Sequence, residues 1–300
     1  MLTVAVRAVH ATGGMLGPGP AKTGGVLFRG DPVTESPRDM AGRRKRWWSV
    51  PVLVMVLTAG CMEFGPAEKQ MLREADQMYR GGDLAGATTR CDRLIQNFGD
   101  AAEIAEAHYI RGLCRVQSRQ FKAAIEDFEA ATRKSKRDDL TALSRASWGS
   151  LAYEAGDWRG AHRLFSEALP KLPVSPPADE LLYTAGMAAQ RAGEWEDASR
   201  WFREIIHRFG NRPIATEARR MAQWRHPYFA IQLGVFRSST NAAEFVRKMR
   251  DQRVDAVQEN MPRGGEAVWV VMAGRYRTYT DARQGLEQLR RIQSGAFIIP

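Results

Sequence analysis

Between residues 67 and 225 apolar residues recur at helical spacing, and the same small and apolar positions return every 37 residues. Gly112, Gly149 and Gly186 keep that period, with Ala75 in the same register one unit earlier. So do three further sets: Ala87, Ala124, Ala161 and Ala198; Leu84, Phe121, Trp158 and Trp195; and Cys91, Phe128, Phe165 and Phe202. A period held at four positions through four units predicts four stacked helical hairpins, because each unit buries its apolar stripe against the next. Small residues at the Gly149 and Ala161 positions let paired helices approach closely, and Trp158 and Phe165 are expected to fill the space between hairpins. Asn97–Asp100 and Lys171–Pro177 read as connecting loops, and Pro213–Trp224 as a closing helix.

After Pro227 the pattern changes to alternation. Along Tyr228–Phe236, Phe229, Ile231, Leu233 and Val235 are expected on one face, and Tyr228, Ala230, Gln232, Gly234 and Phe236 on the other. A helix follows, with Asn241 and Glu244 suited to a capping box and Ala242, Phe245, Val246 and Met249 on its apolar face. Residues 254–260 read as a strand, Pro262–Gly265 as a hairpin turn and Ala267–Arg277 as a further strand. A second helix, capped by Thr280, carries Ala282, Leu286 and Leu289, and Ala296–Ile299 closes the chain as a short strand. The halves match at an offset of 40: Gly234/Gly274, Phe236/Tyr276, Arg237/Arg277, Asn241/Asp281, Ala242/Ala282 and Met249/Leu289. This duplicated βαββαβ order predicts a small ferredoxin-like domain: a four-stranded antiparallel sheet, two helices on one face, and an opposite face open to solvent for binding.

The segment Met40–Cys61 has a different character. Arg43, Arg44, Lys45 and Arg46 precede a short apolar run, Trp47–Leu57, and Thr58-Ala59-Gly60 supply small residues before Cys61. The run is shorter than the roughly 20 residues of a membrane-spanning helix and fits a signal peptide. It resembles a lipobox, although Thr58 stands where Leu is usual. The resemblance implies that Cys61 is lipidated and becomes the first mature residue, with residues 61–66 as a tether. Met62 after the cysteine resembles the sorting pattern of outer-membrane lipoproteins. Because signal peptides begin a chain, Met40 is the expected start. The aperiodic, Gly- and Pro-rich residues 1–39 then form a non-native or disordered leader.

Composition adds exclusions. The formal net charge is +10, but residues 1–60 hold eight Lys/Arg against three Asp/Glu, so half of that excess lies in the leader and signal segments. The remainder gives no basic stripe of the kind that binds nucleic acid. Cys61, Cys91 and Cys114 make no CxxC pair, and the histidines are scattered, so no metal or other cofactor is expected. Cys91 takes a slot used elsewhere by Phe, which suits a buried apolar role, and a disulfide to Cys114 on the next helix stays open. No nucleophile, metal or phosphate-loop motif of an enzyme is present. Glu126, Asp127, Glu194 and Glu196 read as solvated helix or turn positions.

The small-x11-Ala-x3-Phe pattern, as in GDWRGAHRLF at 156–165, resembles tetratricopeptide (TPR) repeats lengthened by three residues. Such solenoids imply a protein partner on the concave face. The segments YFAIQLGVFRSSTNAAEFVRKMRDQ and VWVVMAGRYRTYTDARQGLEQLRR, within a domain at 227–300, resemble the SPOR domain. That resemblance implies binding of peptidoglycan, typically glycan strands stripped of stem peptides, across the open sheet face. Gln232 is the glycan contact it carries over, and Tyr228, Trp269, Arg275, Tyr276 and Arg277 could supply aromatic faces and donors. Alternation alone leaves open which face Trp269 takes. Val235 stands where that family often has Ser, and Val270 where it often has Arg. The implied protein is a non-enzymatic lipoprotein, anchored at Cys61 to the periplasmic face of the outer membrane. It joins peptidoglycan to a protein partner in division or envelope tethering. The alternative is an assembly scaffold whose terminal domain docks protein.

Overall fold

Three of the four 37-residue units seat an aromatic ring against a glycine of the paired helix, and the first has Ala75 and Cys91 at those positions. We describe a computed structural model of the chain over residues 63–101, 103–172, 178–263 and 265–300. The leader, the signal segment, the lipidation site Cys61 and the first tether residues lie outside the described residues. Residues 173–177 of the second connecting loop and Gly264 of the hairpin turn lie outside them as well.

The repeats comprise α1 (Pro66–Gly81) with α2 (Leu84–Asn97), α3 (Ile104–Gln117) with α4 (Phe121–Lys134), α5 (Asp138–Glu154) with α6 (Trp158–Ala168), and α7 (Ala178–Ala192) with α8 (Trp195–Arg208). The closing helix is α9 (Pro213–Ala222). A Cβ placed on Gly112 would stand 2.7 Å from the Phe128 ring, on Gly149 3.1 Å from Phe165, and on Gly186 2.6 Å from Phe202. In these three hairpins the first helix is thus cut away to seat the aromatic of the second. Ala87, Ala124 and Ala161 are fully buried where the helices cross, and Ala198 nearly so. Asp83 and Asp157, equivalent N-caps two units apart, accept from the amides of Gly86 and Gly160 and satisfy otherwise unpaired helix donors. Cys91 and Cys114 are free thiols, both buried.

The terminal domain runs β1 (Phe229–Phe236), α10 (Ser239–Asp251), β2 (Ala256–Arg263), β3 (Glu266–Tyr276), α11 (Tyr279–Leu289) and β4 (Phe297–Ile299). Its sheet order is β2-β3-β1-β4, antiparallel throughout, with both helices packed on one side. The duplication extends to the caps. Ser238 and Thr278, also 40 apart, accept from the amides of Asn241 and Asp281, so the caps precede the expected Asn241 and Thr280 by three and two residues.

One expectation about faces is corrected. The β1–β3 register shifts between Gln232 and Gly234, and this bulge reverses the alternation beyond it. Phe236 therefore packs with the helices beside Phe245, while Val235 is 42% exposed.

Candidate functional site

Cross-strand partners in a sheet point to the same side, which sorts the candidate residues. Gln232 pairs with Met272, and Met272 belongs to a second apolar cluster, with Ala230, Val268, Val270 and Ile299, on the side away from the helices. The centre of this face, expected to be open, is covered, while Val235, Val257 and Phe297 on the same side stay 42%, 39% and 41% exposed. Val270 is fully buried, Met272 is 2% exposed and Gln232 6%. Trp224, Tyr228 and Met261 pack against it.

The linker Trp224–Tyr228 forms part of this cover. The Trp224 Nε1 donates to the Tyr228 carbonyl at 2.9 Å, and the His226 ring stacks on Tyr228 at 4.9 Å. His226 Nε2 also reaches Glu259 of β2 at 2.9 Å. The Arg275 guanidinium lies 5.6 Å from the centre of the Tyr228 ring. Tyr228 and Arg275 are therefore brought together, and Gln232 lies further along the same side of the sheet.

Trp269 and Tyr276 are not. Trp269 alternates with Val268 and Val270 and turns inward to the helix-side core. Tyr276 does the same: a Cβ on Gly285 would meet its hydroxyl oxygen at 2.2 Å. In the first half of the duplication Phe245 occupies the Gly285 position, so the Tyr276 ring fills the volume that Phe245 fills there. Burial raises its phenol pKa. Arg277 is exposed, with its carbonyl beside the Gly193 turn of the solenoid.

The sequence reading passed over Trp224, His226 and Glu259. Their signal was an aromatic and basic run, WRHPYF at 224–229, beside a carboxylate in mid-strand.

Trp158 meets Arg191 of the next hairpin, as expected, and also reaches the terminal domain. Its ring meets Tyr279 of α11 edge-on at 5.2 Å, and Trp195 meets Phe229 at 4.8 Å. Arg191 lies over Tyr153, Trp158 and Tyr279, 4.9, 5.7 and 4.6 Å from their ring centres. The third and fourth repeats thus hold the terminal domain through aromatic and cation–π contacts.

A second correction concerns Asp127, which is 1% exposed rather than solvated. Arg111 Nη2 reaches it at 2.7 Å, Arg115 Nη1 at 2.8 Å and His108 Nδ1 at 3.1 Å, and Arg111 bridges on to Asp92 at 2.6 Å. Burial pushes the Asp127 carboxyl up, but the hydrogen bonds from His108 and Arg111 and the charges of Arg111 and Arg115 outweigh it and hold the pKa below its ordinary value. This network ties α2, α3 and α4 together. Among the described residues no cluster of three or more His, Cys, Asp or Glu is arranged to hold a metal, and no helix is long and apolar enough to cross a membrane.

Comparison with family models decides the terminal domain, since the model of the SPOR domain matches residues 226–300. Residues 226–300 are a SPOR domain. The match begins at His226, so the SPOR domain includes the part of the linker that stacks on its own sheet. Val270, which replaces the frequent Arg, lies under the covered face, where a guanidinium would have no water. A solved structure described as YrrB, a TPR protein with an unusual peptide-binding site, is similar over 50% of this chain and 90% of its own, at 17% identity and a TM-score of 0.26. A likeness that slight bears no argument. No curated protein matches the chain.

Proposed function

We propose that this protein is a non-enzymatic scaffold of the bacterial cell envelope, in which the SPOR domain binds the glycan strands of peptidoglycan and the solenoid recruits a protein partner on its concave face. The SPOR match over 226–300 is the observation that carries this reading. The aromatic dock onto the third and fourth repeats supports it, because a partner held by the repeats would be carried at a fixed distance from the wall. A lipid anchor at Cys61, on the periplasmic face of the outer membrane, would complete a membrane-to-wall tether or a division accessory.

The test is retention of the purified protein on sacculi, comparing intact peptidoglycan with material stripped of stem peptides. Stronger retention on stripped material supports glycan recognition, and no retention on either sinks it. A second reading has an observation of its own. The sheet face leaves Val235, Val257 and Phe297 exposed, as suits contact with protein, which would make the SPOR domain a docking module of an assembly scaffold. Capture of a specific envelope protein by the chain without sacculus retention favours that reading.

A further inference from the structure

A cleft of about 610 Å³ lies between the closing helix α9 and strand β2, large enough for a disaccharide and within the usual range of ligand sites. Its walls come from both domains, with Arg219 and Gln223 on one side, Glu259 and Met261 on the other, and Trp224 and Arg225 of the linker between them.

The side chains are held in place before any ligand arrives. The Trp224 indole is fixed by its hydrogen bond to the Tyr228 carbonyl and by edge contacts to His226 at 5.0 Å and Tyr228 at 6.1 Å. His226 is held by Glu259. Such preorganisation lowers the ordering cost of binding.

Arg219, Arg220 and Arg225 exceed Glu217 and Glu259 by one charge along the cleft. Glu259 faces His226, and Glu217 is held by Arg220 at 2.8 Å. Arg219 donates to the Gly210 carbonyl at 2.9 Å. Among the described residues neither Arg219 nor Arg225 has a carboxylate partner, and both are exposed. Two guanidiniums without carboxylate partners beside an indole suit a ligand that joins a saccharide ring, which stacks, to a carboxylate, which takes a bidentate donor. Thr216 and Gln223, both exposed on the same rim, supply groups for hydroxyls.

Peptidoglycan presents that combination only when bare. In an intact strand the lactyl group of each muramic acid is tied up as an amide to the stem peptide. Removal of the stem frees one carboxylate per disaccharide. Resting on the glycan reading above, we propose that the α9–β2 cleft is the saccharide site of this protein, with Arg219 and Arg225 taking the freed carboxylate and Trp224 the sugar ring. Half of the site belongs to the solenoid, so the SPOR domain reads bare glycan jointly with the repeat array.

The test is a titration of the full chain with soluble glycan fragments freed of stem peptides, and with the same fragments after their carboxylates are converted to amides. We expect the native fragments to bind more tightly. The double variant Arg219→Ala/Arg225→Ala should weaken binding roughly tenfold or more and erase the difference between the two ligands. Arg283→Ala/Arg291→Ala, which removes two exposed charges away from the cleft, should leave both unchanged. Native-like far-UV spectra of the variants exclude unfolding as the cause. Full binding by the double variant, with loss in Gln232→Ala, would place the site on the sheet and overturn the cleft while keeping glycan recognition. No binding of any fragment by the native protein would remove the glycan reading and the cleft together. Tighter binding of an acidic peptide than of the fragments, lost in the double variant, would keep the cleft and overturn its saccharide assignment.

Discussion

Trp195 and Phe229 stand 34 positions apart in the chain, yet their rings lie 4.8 Å from each other across the junction between the last hairpin and the SPOR domain. Trp195 occupies a periodic repeat position, also held by Leu84, Phe121 and Trp158. Where no second domain lies against it, the residue is loosely covered, and Phe121 is 40% exposed. In the last two repeats the same position carries the largest side chain and grips β1 and α11. A double-mutant cycle of Trp195→Ala and Phe229→Ala should therefore give a coupling of about 0.5–1.5 kcal/mol in urea unfolding. Additive losses would mean that the rings touch without holding the domains.

The glycine positions give a graded expectation. A methyl on Gly186 would meet the Phe202 ring at 2.6 Å, whereas on Gly149 it would meet Phe165 at 3.1 Å. Overpacking of a core costs about 1–3 kcal/mol, against about 1 kcal/mol gained in helix propensity. Gly186→Ala should lower the denaturation midpoint clearly, and Gly149→Ala should come out near neutral. Equal effects would show that the Phe202 ring has room to retreat.

Two buried carboxyls set opposite slopes of stability with pH. Burial raises Glu106 from 4.5 to about 7, reinforced by Asp76, Asp139 and Glu103 and opposed by Arg137 at 3.5 Å. The folded state thus keeps a proton that the unfolded chain has lost. This contribution is present in full below about 4.5 and fades as pH rises through about 7. Asp127 is lowered, so its contribution is present above its unfolded value and is lost as pH falls through its folded one. Glu106→Gln should match the native protein near pH 4.5 and exceed it at pH 8, by thermal unfolding across that range. Asp127→Asn should be destabilised at neutral pH, because it uncovers Arg111, whose side chain is 14% exposed. A Glu106→Gln protein with the native pH profile would show that water reaches the carboxyl.

The hairpins were legible in the sequence because their decisive contacts are short-range: each glycine meets an aromatic 16 positions later, as Gly112 meets Phe128. The βαββαβ order was legible for the same reason, through the repeated offset of Gly234/Phe236 and Gly274/Tyr276. Asp127 was misread because its partners His108 and Arg111 sit on the preceding helix, where periodicity assigns burial but no pairing. The fate of the sheet face was also hidden. Alternation defines two sides of a strand without saying what covers either, and the linker that covers this one has no period. Of the candidate site, Tyr228 and Arg275 meet on the side of the sheet that also carries Gln232, whereas Trp269 and Tyr276 follow the parity of β3 into the helix-side core.

The thiols offer a simple check on burial in the solenoid. Burial, reinforced by Cys114, drives the Cys91 thiol far above its ordinary pKa, and burial pushes Cys114 up to about 11. Since the thiolate is the reactive form, both should resist alkylation in the native protein and react once it is unfolded. Peptide mapping after iodoacetamide treatment checks each residue, and native labelling of Cys91 would mean that the first two hairpins open readily.

Val270 measures how firmly the sheet face is closed. It is fully buried, paired across the sheet with Glu259 on β2 and Val235 on β1, in the cluster against which Trp224 and Tyr228 pack. Val270→Arg would place there the residue frequent in other SPOR domains. A guanidinium under that cover loses its water, and its nearest carboxylate, Glu259, is already engaged by His226. We expect a loss of at least about 2 kcal/mol in denaturant unfolding, with partial recovery in Val270→Arg/His226→Ala, where Glu259 is free to pair. A loss below about 0.5 kcal/mol, the range of ordinary surface changes, would show that the linker lifts from the sheet at little cost. Gln232 would then be open to a ligand, and the face would compete with the α9–β2 cleft for the same strand.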